Sequence, residues 1–217
     1  MERKISVEKA CVPTAAEPVR KGRREQKKEE KLRRISHAAR QLFHAQGFDA
    51  TTTAQVAELA EIGEGTLFLY IVKKEDLLIL AFTEEMAEVV IASAAAVDSR
   101  GGFIDQASAF FSRLMAYHEA DQALAKAFLR EVGFLRDPGR DYGFGKIPMM
   151  PSLEAIADRA RARGEIGPHF TSPDIAQLAF SAYWYCLRDW ANDELSSELF
   201  HERLRHLLSM QVRGLAP

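Results

Sequence analysis

The sequence predicts an all-α fold, with a small N-terminal helical unit followed by a larger helical body. No stretch of the 217 residues alternates apolar and polar side chains between turn signals, so no strand is indicated. Glycine and proline are concentrated in a few places, and the segments between them place apolar residues at helical spacing. The chain is 47% hydrophobic and 28% charged, a balance typical of a folded globular protein.

The first long helix is predicted over residues 23–46, which contain neither glycine nor proline. Gly47 fits the C-terminal stop of this helix. Residues 1–22 show no periodicity and include two prolines, so we expect a disordered basic arm there. The apolar residues of the helix fall on one face: Leu32, Ile35, Ala39, Leu42 and Phe43.

Two short helices of about two turns each are predicted next. A T-x-x-Q pattern beginning at Thr52 is a capping-box signature and starts a helix that ends near Ala60. Another helix begins at Gly63 or Glu64 and includes Tyr70. Two helices joined by about three residues form a helix-turn-helix, whose second helix enters the DNA major groove.

The rest of the chain predicts a helical body. Residues 137–151 contain three prolines and three glycines and predict a long loop. Ser172 is the expected N-cap of the helix that follows, with Pro173 at its first position. The stretch from Lys73 to Arg100 lacks glycine and proline, which allows a helix of more than six turns. The other predicted helices cover residues 104–119, 121–136, 152–163, 173–191 and 198–213.

The charge distribution is uneven along the chain. Nine Lys and Arg residues stand against three Glu between Arg20 and Arg34, although the net charge of the whole chain is -2. A basic block beside a neutral or acidic body indicates a polyanion that is contacted at one end. A solvated basic tail with no partner is the alternative.

Several classes of protein are not favoured. No apolar run is long enough for a membrane span, and the N-terminus lacks the apolar middle of a secretory signal, so we expect a cytoplasmic protein without a membrane partner. Cys11 and Cys186 are too few for a metal cluster or disulfide framework. No zinc-protease, phosphate-loop or serine-hydrolase motif occurs, and His118 stands at a helix junction where capping explains the polar residues. We therefore predict no enzyme activity, no catalytic residue, no metal and no cofactor.

A set of residues between positions 35 and 78 keeps its spacing across three predicted elements: Ala39, Leu42, Phe43, Gly47, Phe48, Thr51, Thr52, Val56, Ala57, Ala60, Ile62, Gly65, Leu67, Phe68, Tyr70, Lys74, Glu75 and Leu77. This segment resembles the DNA-binding domain of the TetR family, the tetracycline-repressor-like transcriptional regulators. The resemblance is specific because the spacing holds beyond a lone helix-turn-helix. It covers about a fifth of the chain.

Four positions depart from the family pattern. Glu61 stands where the turn commonly has glycine, so a left-handed backbone with strain of about 1 kcal/mol is expected there. Gly63 replaces the usual Ser or Thr cap, which glycine does at small cost. Phe68 replaces a tyrosine whose hydroxyl commonly contacts phosphate, and Ile71 is a substitution within the core.

The resemblance implies a double-stranded DNA operator as partner. Thr52 and Thr53 would contact phosphate at a helix N-terminus, although Thr52 as a plain N-cap is equally compatible. Glu64 would accept a hydrogen bond from cytosine or remain an exposed charge, and an outward Leu69 would contact thymine methyl groups. The implied DNA-binding residues are Thr52, Thr53, Glu64, Gly65, Thr66, Phe68, Leu69, Tyr70, Lys74, Arg23 and Arg24.

The resemblance also implies three segments: an arm at 1–22, a helix-turn-helix domain at 23–74, and a ligand-sensing and dimerisation domain at 75–217. A homodimer would form through the last two long helices, because the helix at 173–191 is apolar on more than one face. A small, largely apolar effector would relieve repression. The candidate effector-binding residues, which ordinary core packing also explains, are Phe110, Met115, Phe128, Phe134, Tyr142, Phe144 and Trp184. A helical interaction protein with a basic tail and no sequence-specific DNA reading is the alternative function.

Overall fold

A computed structural model describes residues 22–132 and 144–215 of the chain. No strand occurs in these two ranges, and the all-α prediction is confirmed. The predicted arm, apart from Gly22, lies outside the described residues. The helices in chain order are α1 (Arg23–Gln46), α2 (Thr53–Leu59), α3 (Glu64–Leu67), α4 (Lys74–Ala95), α5 (Phe103–Ala120), α6 (Gln122–Val132), α7 (Met149–Ala162), α8 (Ser172–Ala191) and α9 (Ser197–Leu215), with a single 3-10 turn at Phe144–Lys146.

Helix α1 has the predicted bounds and packs through its C-terminal half. Ile35, Ala39 and Phe43 are buried, whereas residues 23–28 are all exposed. Gly47 ends the helix with φ of 83°, and its N–H donates to the Phe43 carbonyl at 2.9 Å. Because an α-helix rises 1.5 Å per residue, α1 is about 36 Å long and its basic N-terminal turns extend away from the packed unit.

The turn between α2 and α3 has the left-handed residue that the sequence predicts. Glu61 has φ of 52°, a conformation that side chains with a Cβ adopt at a cost. Arg34 of α1 stabilises this turn from outside. Its guanidinium donates to the Ala60 carbonyl, to the Glu61 carbonyl at 3.2 Å and to the Glu61 carboxylate at 2.9 Å. Arg34 therefore satisfies carbonyl groups that the end of a helix leaves without partners.

Helix α3 is shorter than the predicted two turns. Its α-helical part ends at Leu67, and residues 68–70 continue as a tighter turn. The N–H of Leu69 donates to the Thr66 carbonyl at 3.1 Å and that of Tyr70 to the Leu67 carbonyl at 2.8 Å, both three residues back. The chain thus tightens into 3-10-like bonding at the end of the helix.

Helix α4 joins the two parts of the molecule. It packs against α1 on one side and against α5, α6 and α7 on the other. It ends at Ala95 rather than continuing to Arg100, because the Asp98 carboxylate accepts the backbone N–H of Arg100 at 3.0 Å and forms a local turn.

Two other predicted helix starts are corrected. Helix α7 begins at Met149 rather than Ser152. Pro151 lies in the first turn of the helix, where backbone N–H groups have no intrahelical acceptor, so a proline is tolerated there. The N-cap of α8 is Thr171 rather than Ser172, since Thr171 and Asp174 form both halves of a capping box. The helical residues 149–151 lie in the predicted loop, and residues 133–143 of that region are outside the described residues.

The body has an aromatic core between α5, α8 and α9. Phe103, Phe110, Phe111, Tyr183 and Phe200 are the largest fully buried side chains of this region. The Phe111 and Tyr183 rings stack with centroids 4.5 Å apart. Truncating such a ring to alanine costs about 3–5 kcal/mol, so this core contributes much of the stability of the body. Within the described ranges, no helix combines the length and apolar character needed to cross a membrane.

Candidate nucleic-acid interface and the helical body

The N-terminus of α2 is closed by Thr52. The Thr52 N–H donates to Gln55 Oε1 at 2.9 Å, and the Gln55 N–H donates to Thr52 Oγ1 at 3.2 Å. The predicted capping box is confirmed. The backbone N–H groups of Thr53 and Ala54 point out of the first turn without an intrahelical acceptor, an arrangement that suits a phosphate.

Thr53 connects the two helices of the motif. Its hydroxyl donates to Glu64 Oε1 at 3.0 Å, so the first turns of α2 and α3 are tied together. The Glu64 carboxylate therefore lies beside two helix N-termini, whose partial positive charge favours an anion there. In this arrangement Glu64 has a structural partner, and the hydroxyl of Thr53 is already used.

The turn that follows α3 exposes apolar side chains. Leu69 is 81% exposed and Phe68 is 48% exposed, and Val72, three residues after Leu69, is exposed as well. The outward position of Leu69 agrees with the expectation from its spacing. A Cβ added at Gly65 would meet no atom within 4 Å, so internal packing does not require glycine there. Close approach by an outside group is a reason for a glycine at this position.

The cations beside α3 make contacts within the chain. Lys74 Nζ donates to the Asp49 carbonyl at 3.0 Å and lies 4.4 Å from the centroid of the Phe48 ring. Lys73 Nζ lies 2.7 Å from Glu131 Oε2 of α6, and this hydrogen bond raises the pKa of Lys73. Tyr70 packs against the core and is only partly exposed. The predicted residues Arg23 and Arg24 instead stand on the exposed first turn of α1.

The predicted effector-binding residues lie in several surroundings. Phe110 and Met115 are fully buried, and Phe128 stacks on Phe82 with centroids 4.0 Å apart. Trp184 is half-buried and stacks with Phe180 at 6.2 Å. Phe134 and Tyr142, together with the side chain of Phe144, are outside the described part of the chain.

Sequence reasoning misplaced His118. Asp121 is the capping residue of the junction, since its carboxylate accepts the Leu124 N–H at 3.0 Å, whereas His118 is 2% exposed within the aromatic core. Its Nε2 lies 3.1 Å from the Tyr183 hydroxyl. The signal was its position on the apolar face of α5, one turn after Leu114 and two turns after Phe111.

A carboxylate connects the N-terminal unit to the body. Glu85 of α4 lies 3.3 Å from Arg40 Nε and 3.1 Å from His44 Nε2, both on α1. From the other side it accepts a hydrogen bond from the Tyr117 hydroxyl of α5. Burial, reinforced by the bond to Glu85, raises the pKa of Tyr117 above its usual range. Tyr117 and His118 are neighbours on α5, so this contact lies one residue from the aromatic core.

The last two helices present apolar side chains outward. Leu178 and Tyr185 of α8 are exposed one heptad apart, and Arg188 stacks on the Tyr185 ring at 5.0 Å. Leu199 and Met210 of α9 are also exposed. Since α8 buries its opposite face in the body, it is apolar on two sides.

The geometry defines a fold: a helix-turn-helix unit joined through α4 to a larger helical body. Residues 35–81 match the family model described as bacterial regulatory proteins, tetR family. This segment is therefore similar to the DNA-binding domain of the TetR-family transcriptional regulators.

Solved structures with the same fold extend over most of the chain. FadR of Thermus thermophilus, a TetR-family repressor solved with lauroyl-CoA, has a TM-score of 0.69 at 21% identity and covers 86% of this chain and 95% of its own. A TetR regulator from Rhodococcus sp. RHA1 has a TM-score of 0.64 at 16% identity, with coverages of 85% and 96%. RolR in complex with resorcinol has a TM-score of 0.60 at 17% identity, with coverages of 88% and 90%. No curated protein sequence matches the chain.

Proposed function

We propose that this regulator is a dimeric repressor that binds a palindromic operator and leaves it when a small, largely apolar ligand binds the body. The observation that carries the proposal is the outward surface of α3 and of the turn that follows it, where Gly65 has no internal packing role and Leu69 is 81% exposed. An exposed apolar face on the second helix of a helix-turn-helix suits contact with base edges and thymine methyl groups in a major groove.

Each DNA-binding residue receives a role from its position. Thr52 and Tyr70 contact phosphates beside the groove, and Thr53, whose hydroxyl is bonded to Glu64, contributes its backbone N–H at the start of α2. Glu64, Gly65 and Thr66 open the recognition helix and face the bases, together with Phe68 and Leu69. Arg23 and Arg24 supply nonspecific attraction from the exposed start of α1. Lys74 reaches phosphate only by exchanging its bond to the Asp49 carbonyl.

The dimer is proposed to form through the outward faces of α8 and α9. Those faces expose Leu178, Tyr185, Leu199 and Met210. Burying these apolar side chains against the same surface of a second copy removes them from water, which is favourable. A twofold arrangement places two recognition helices on half-sites about 34 Å apart. We assign residues 23–74 to DNA binding and 75–217 to ligand sensing and dimerisation.

Ligand binding is proposed to act through α4 and α5. The relatives solved with lauroyl-CoA and with resorcinol support a small-molecule effector of organic character. Glu85 joins α1 to α5 through Arg40, His44 and Tyr117, so a shift of α5 changes how α1 is held. Reorienting α1 tilts the attached recognition helix and changes the half-site spacing of the dimer.

Selection from a random duplex DNA pool tests the proposal. Purified protein would be mixed with the pool at near-physiological salt, and the bound DNA amplified and sequenced. We expect a palindrome with two half-sites, and binding whose logarithm falls with log salt by about 0.9 per neutralised phosphate.

The same selection should be run with Leu69→Ala and, as a matched control on α4, Ile91→Ala, which truncates another exposed aliphatic residue. Recovery of no consensus by the wild type, with binding that vanishes as salt rises, would contradict the proposal. That result would favour the interaction protein with a basic tail.

A further inference from the structure

The body contains a polar pair within a shell of aromatic rings. His118 of α5 and Tyr183 of α8 are each 2% exposed, and His118 Nε2 lies 3.1 Å from the Tyr183 hydroxyl. The Phe82 ring stacks on the imidazole at 5.7 Å with an interplanar angle of 10°, and Trp190 lies 6.3 Å away. Phe111 stacks on the other member of the pair, Tyr183.

The pair holds more hydrogen-bond capacity than it uses. Burial lowers the pKa of His118 to about 4, so the imidazole is neutral at neutral pH and carries one N–H. The phenol of Tyr183, whose pKa burial raises, carries one O–H. The imidazole N–H and the phenol O–H are two donors, but only one hydrogen can lie between Nε2 and the hydroxyl oxygen.

Either tautomer leaves one donor hydrogen beyond this bond. If the tyrosine donates to Nε2, the Nδ1–H of His118 is left over. If Nε2–H donates, the tyrosine hydrogen is left over and Nδ1 becomes an unused acceptor. Among the described residues, His118 Nδ1 is one of two buried side-chain atoms without a hydrogen-bond partner, the other being Ser108 Oγ. Buried donors are nearly always satisfied in folded proteins, because leaving one unbonded is destabilising.

We infer that His118 and Tyr183 are the polar anchor of the effector site, and that the effector is a planar, mostly apolar molecule carrying a neutral carbonyl oxygen. This inference rests on the proposed function, since it names the ligand class of the same body. The oxygen would accept the spare hydrogen of the pair. The ring or plane of the molecule would join the parallel stack formed by Phe128, Phe82 and the imidazole.

The neutral character follows from the surroundings of the pair. The rings packed around it belong to Phe82, Phe111, Tyr117, Trp190 and Phe200. The cation recorded against these rings, Lys126, lies 5.3 Å from the Trp190 centroid and is already paired with the Asp193 carboxylate. An anionic oxygen in such a place would lose its hydration without a compensating charge. A neutral carbonyl loses much less hydration than an anion does, and the spare hydrogen of the pair compensates that loss with a hydrogen bond.

Matched probe pairs test the inference directly. Acetophenone and α-methylstyrene have the same shape and differ only by an oxygen in place of a methylene group, and so do benzophenone and 1,1-diphenylethylene. Affinities for the purified full-length protein would be measured by isothermal titration calorimetry. We expect each ketone to bind wild type about tenfold more tightly than its alkene, the worth of one buried hydrogen bond.

Two variants assign the preference to the pair. His118→Phe keeps a ring in the stack and removes both nitrogens, and Tyr183→Phe removes only the hydroxyl. We expect the preference to disappear in the variant that removes the donor of the spare hydrogen, which is His118→Phe if the Nδ1–H is spare and Tyr183→Phe if the tyrosine hydrogen is spare. In ¹⁵N-histidine spectra of the wild type, the His118 ring nitrogens should shift on adding the ketone and stay in place on adding the alkene. This comparison needs no variant to fold.

Three results would overturn the inference: equal binding of ketone and alkene by wild type, no binding of either ketone up to its solubility limit, or a preference that persists in both variants. DNA binding of the same wild-type sample, measured without probe, separates this inference from the proposed function. If the wild type selects a palindromic operator but shows no preference for the ketone, only the ligand class is rejected. If it prefers the ketone but selects no palindrome, only the repressor function is rejected.

Discussion

The helix-turn-helix end and the helical body depart from ordinary burial in opposite directions. At α3, Phe68 and Leu69 expose apolar side chains to water, although short helices of this kind usually turn such residues inward. In the body, His118 and Tyr183 bury polar groups among aromatic rings. Exposed apolar surface and buried unpaired polar atoms are both unfavourable in the isolated chain.

The difference indicates what each region binds. An apolar outward face next to helix N-termini suits a partner with both methyl groups and phosphates, which a DNA major groove provides. A buried spare donor suits a small molecule with one acceptor. In the two proposals each region is completed by a partner outside the chain, and Glu85 contacts the helices that connect the two regions.

The proposed dimer would strengthen DNA binding by the first region, so disrupting the dimer should have the largest effect. Leu178→Asp combined with Tyr185→Asp places two charges on the outward face of α8. We expect a monomer whose affinity for the full operator falls by at least about 100-fold, because the second half-site no longer benefits from a high effective concentration. Analytical ultracentrifugation and fluorescence anisotropy would measure both changes.

Ile91→Asp on α4 is the matched control for this charge substitution, since it alters an exposed aliphatic residue away from α8. It should leave both mass and affinity unchanged. A double variant that sediments as a dimer would show that the interface lies elsewhere.

The buried pair makes the stability of the body depend on pH. The folded-state pKa of His118 is about 4, below its ordinary 6.5, so between these values the unfolded chain binds a proton that the folded chain does not. Wild type should therefore lose stability as pH falls from 6.5, by roughly 3 kcal/mol at pH 4. The groups facing the imidazole are Phe82, Tyr117, Tyr183 and Trp190, and none is anionic.

Urea denaturation at pH 7, 5.5 and 4 checks this pH dependence. His118→Phe should remove the His118 part of the slope, whereas His169→Gln, a change at an exposed histidine, should leave it in place. Equal slopes for wild type and His118→Phe would mean that the imidazole is not held neutral.

Truncating Leu69 tests how much its exposed side chain contributes to operator binding. Leu69→Ala should weaken operator binding by about tenfold, the worth of one good base contact, and leave the free energy of unfolding within about 0.5 kcal/mol of wild type. Anisotropy and urea denaturation measure the two quantities. Ile91→Ala should change neither, and a Leu69→Ala protein that unfolds more easily would indicate a packing role.

How far the sequence predicted the fold differs between the two regions. Helix α1, the capping box at Thr52 and the left-handed Glu61 follow from local signals, because caps and backbone strain depend on residues close in the chain. The early end of α3 was not predicted, since residues 68–70 contain no glycine or proline to mark it. There the hydrogen-bond pattern changes without a change in composition.

The buried pair could not be predicted from local signals. His118 and Tyr183 are 65 residues apart and meet only when α5 and α8 pack. The cluster at Glu85 likewise combines α1, α4 and α5. Lys74 looks like a free phosphate contact in the sequence, but in the fold its ammonium group donates to the Asp49 carbonyl. Aromatic residues at helical spacing gave no means of separating core from binding site.

The smallest effect is expected at the turn of the DNA-binding unit. Glu61→Gly removes the strain of a left-handed residue and loses one exposed ion pair with Arg34, so we expect a gain of roughly 0.5 kcal/mol in stability. Arg34 still has the carbonyls of residues 60 and 61 as acceptors. Glu61→Gln, which keeps the strained φ, is the control, and a glycine variant less stable than this control would contradict the prediction.

Replacing thymine by uracil in the selected operator tests the reading of bases by α3 most directly, because uracil lacks only the methyl group. Each thymine of a half-site would be replaced in turn, and binding measured for wild type and Leu69→Ala. We predict that one replacement weakens wild-type binding several-fold and has no further effect on Leu69→Ala, since both changes remove the same contact. If every replacement affects the two proteins equally, Leu69 does not contact a thymine methyl and the proposed orientation of α3 is wrong.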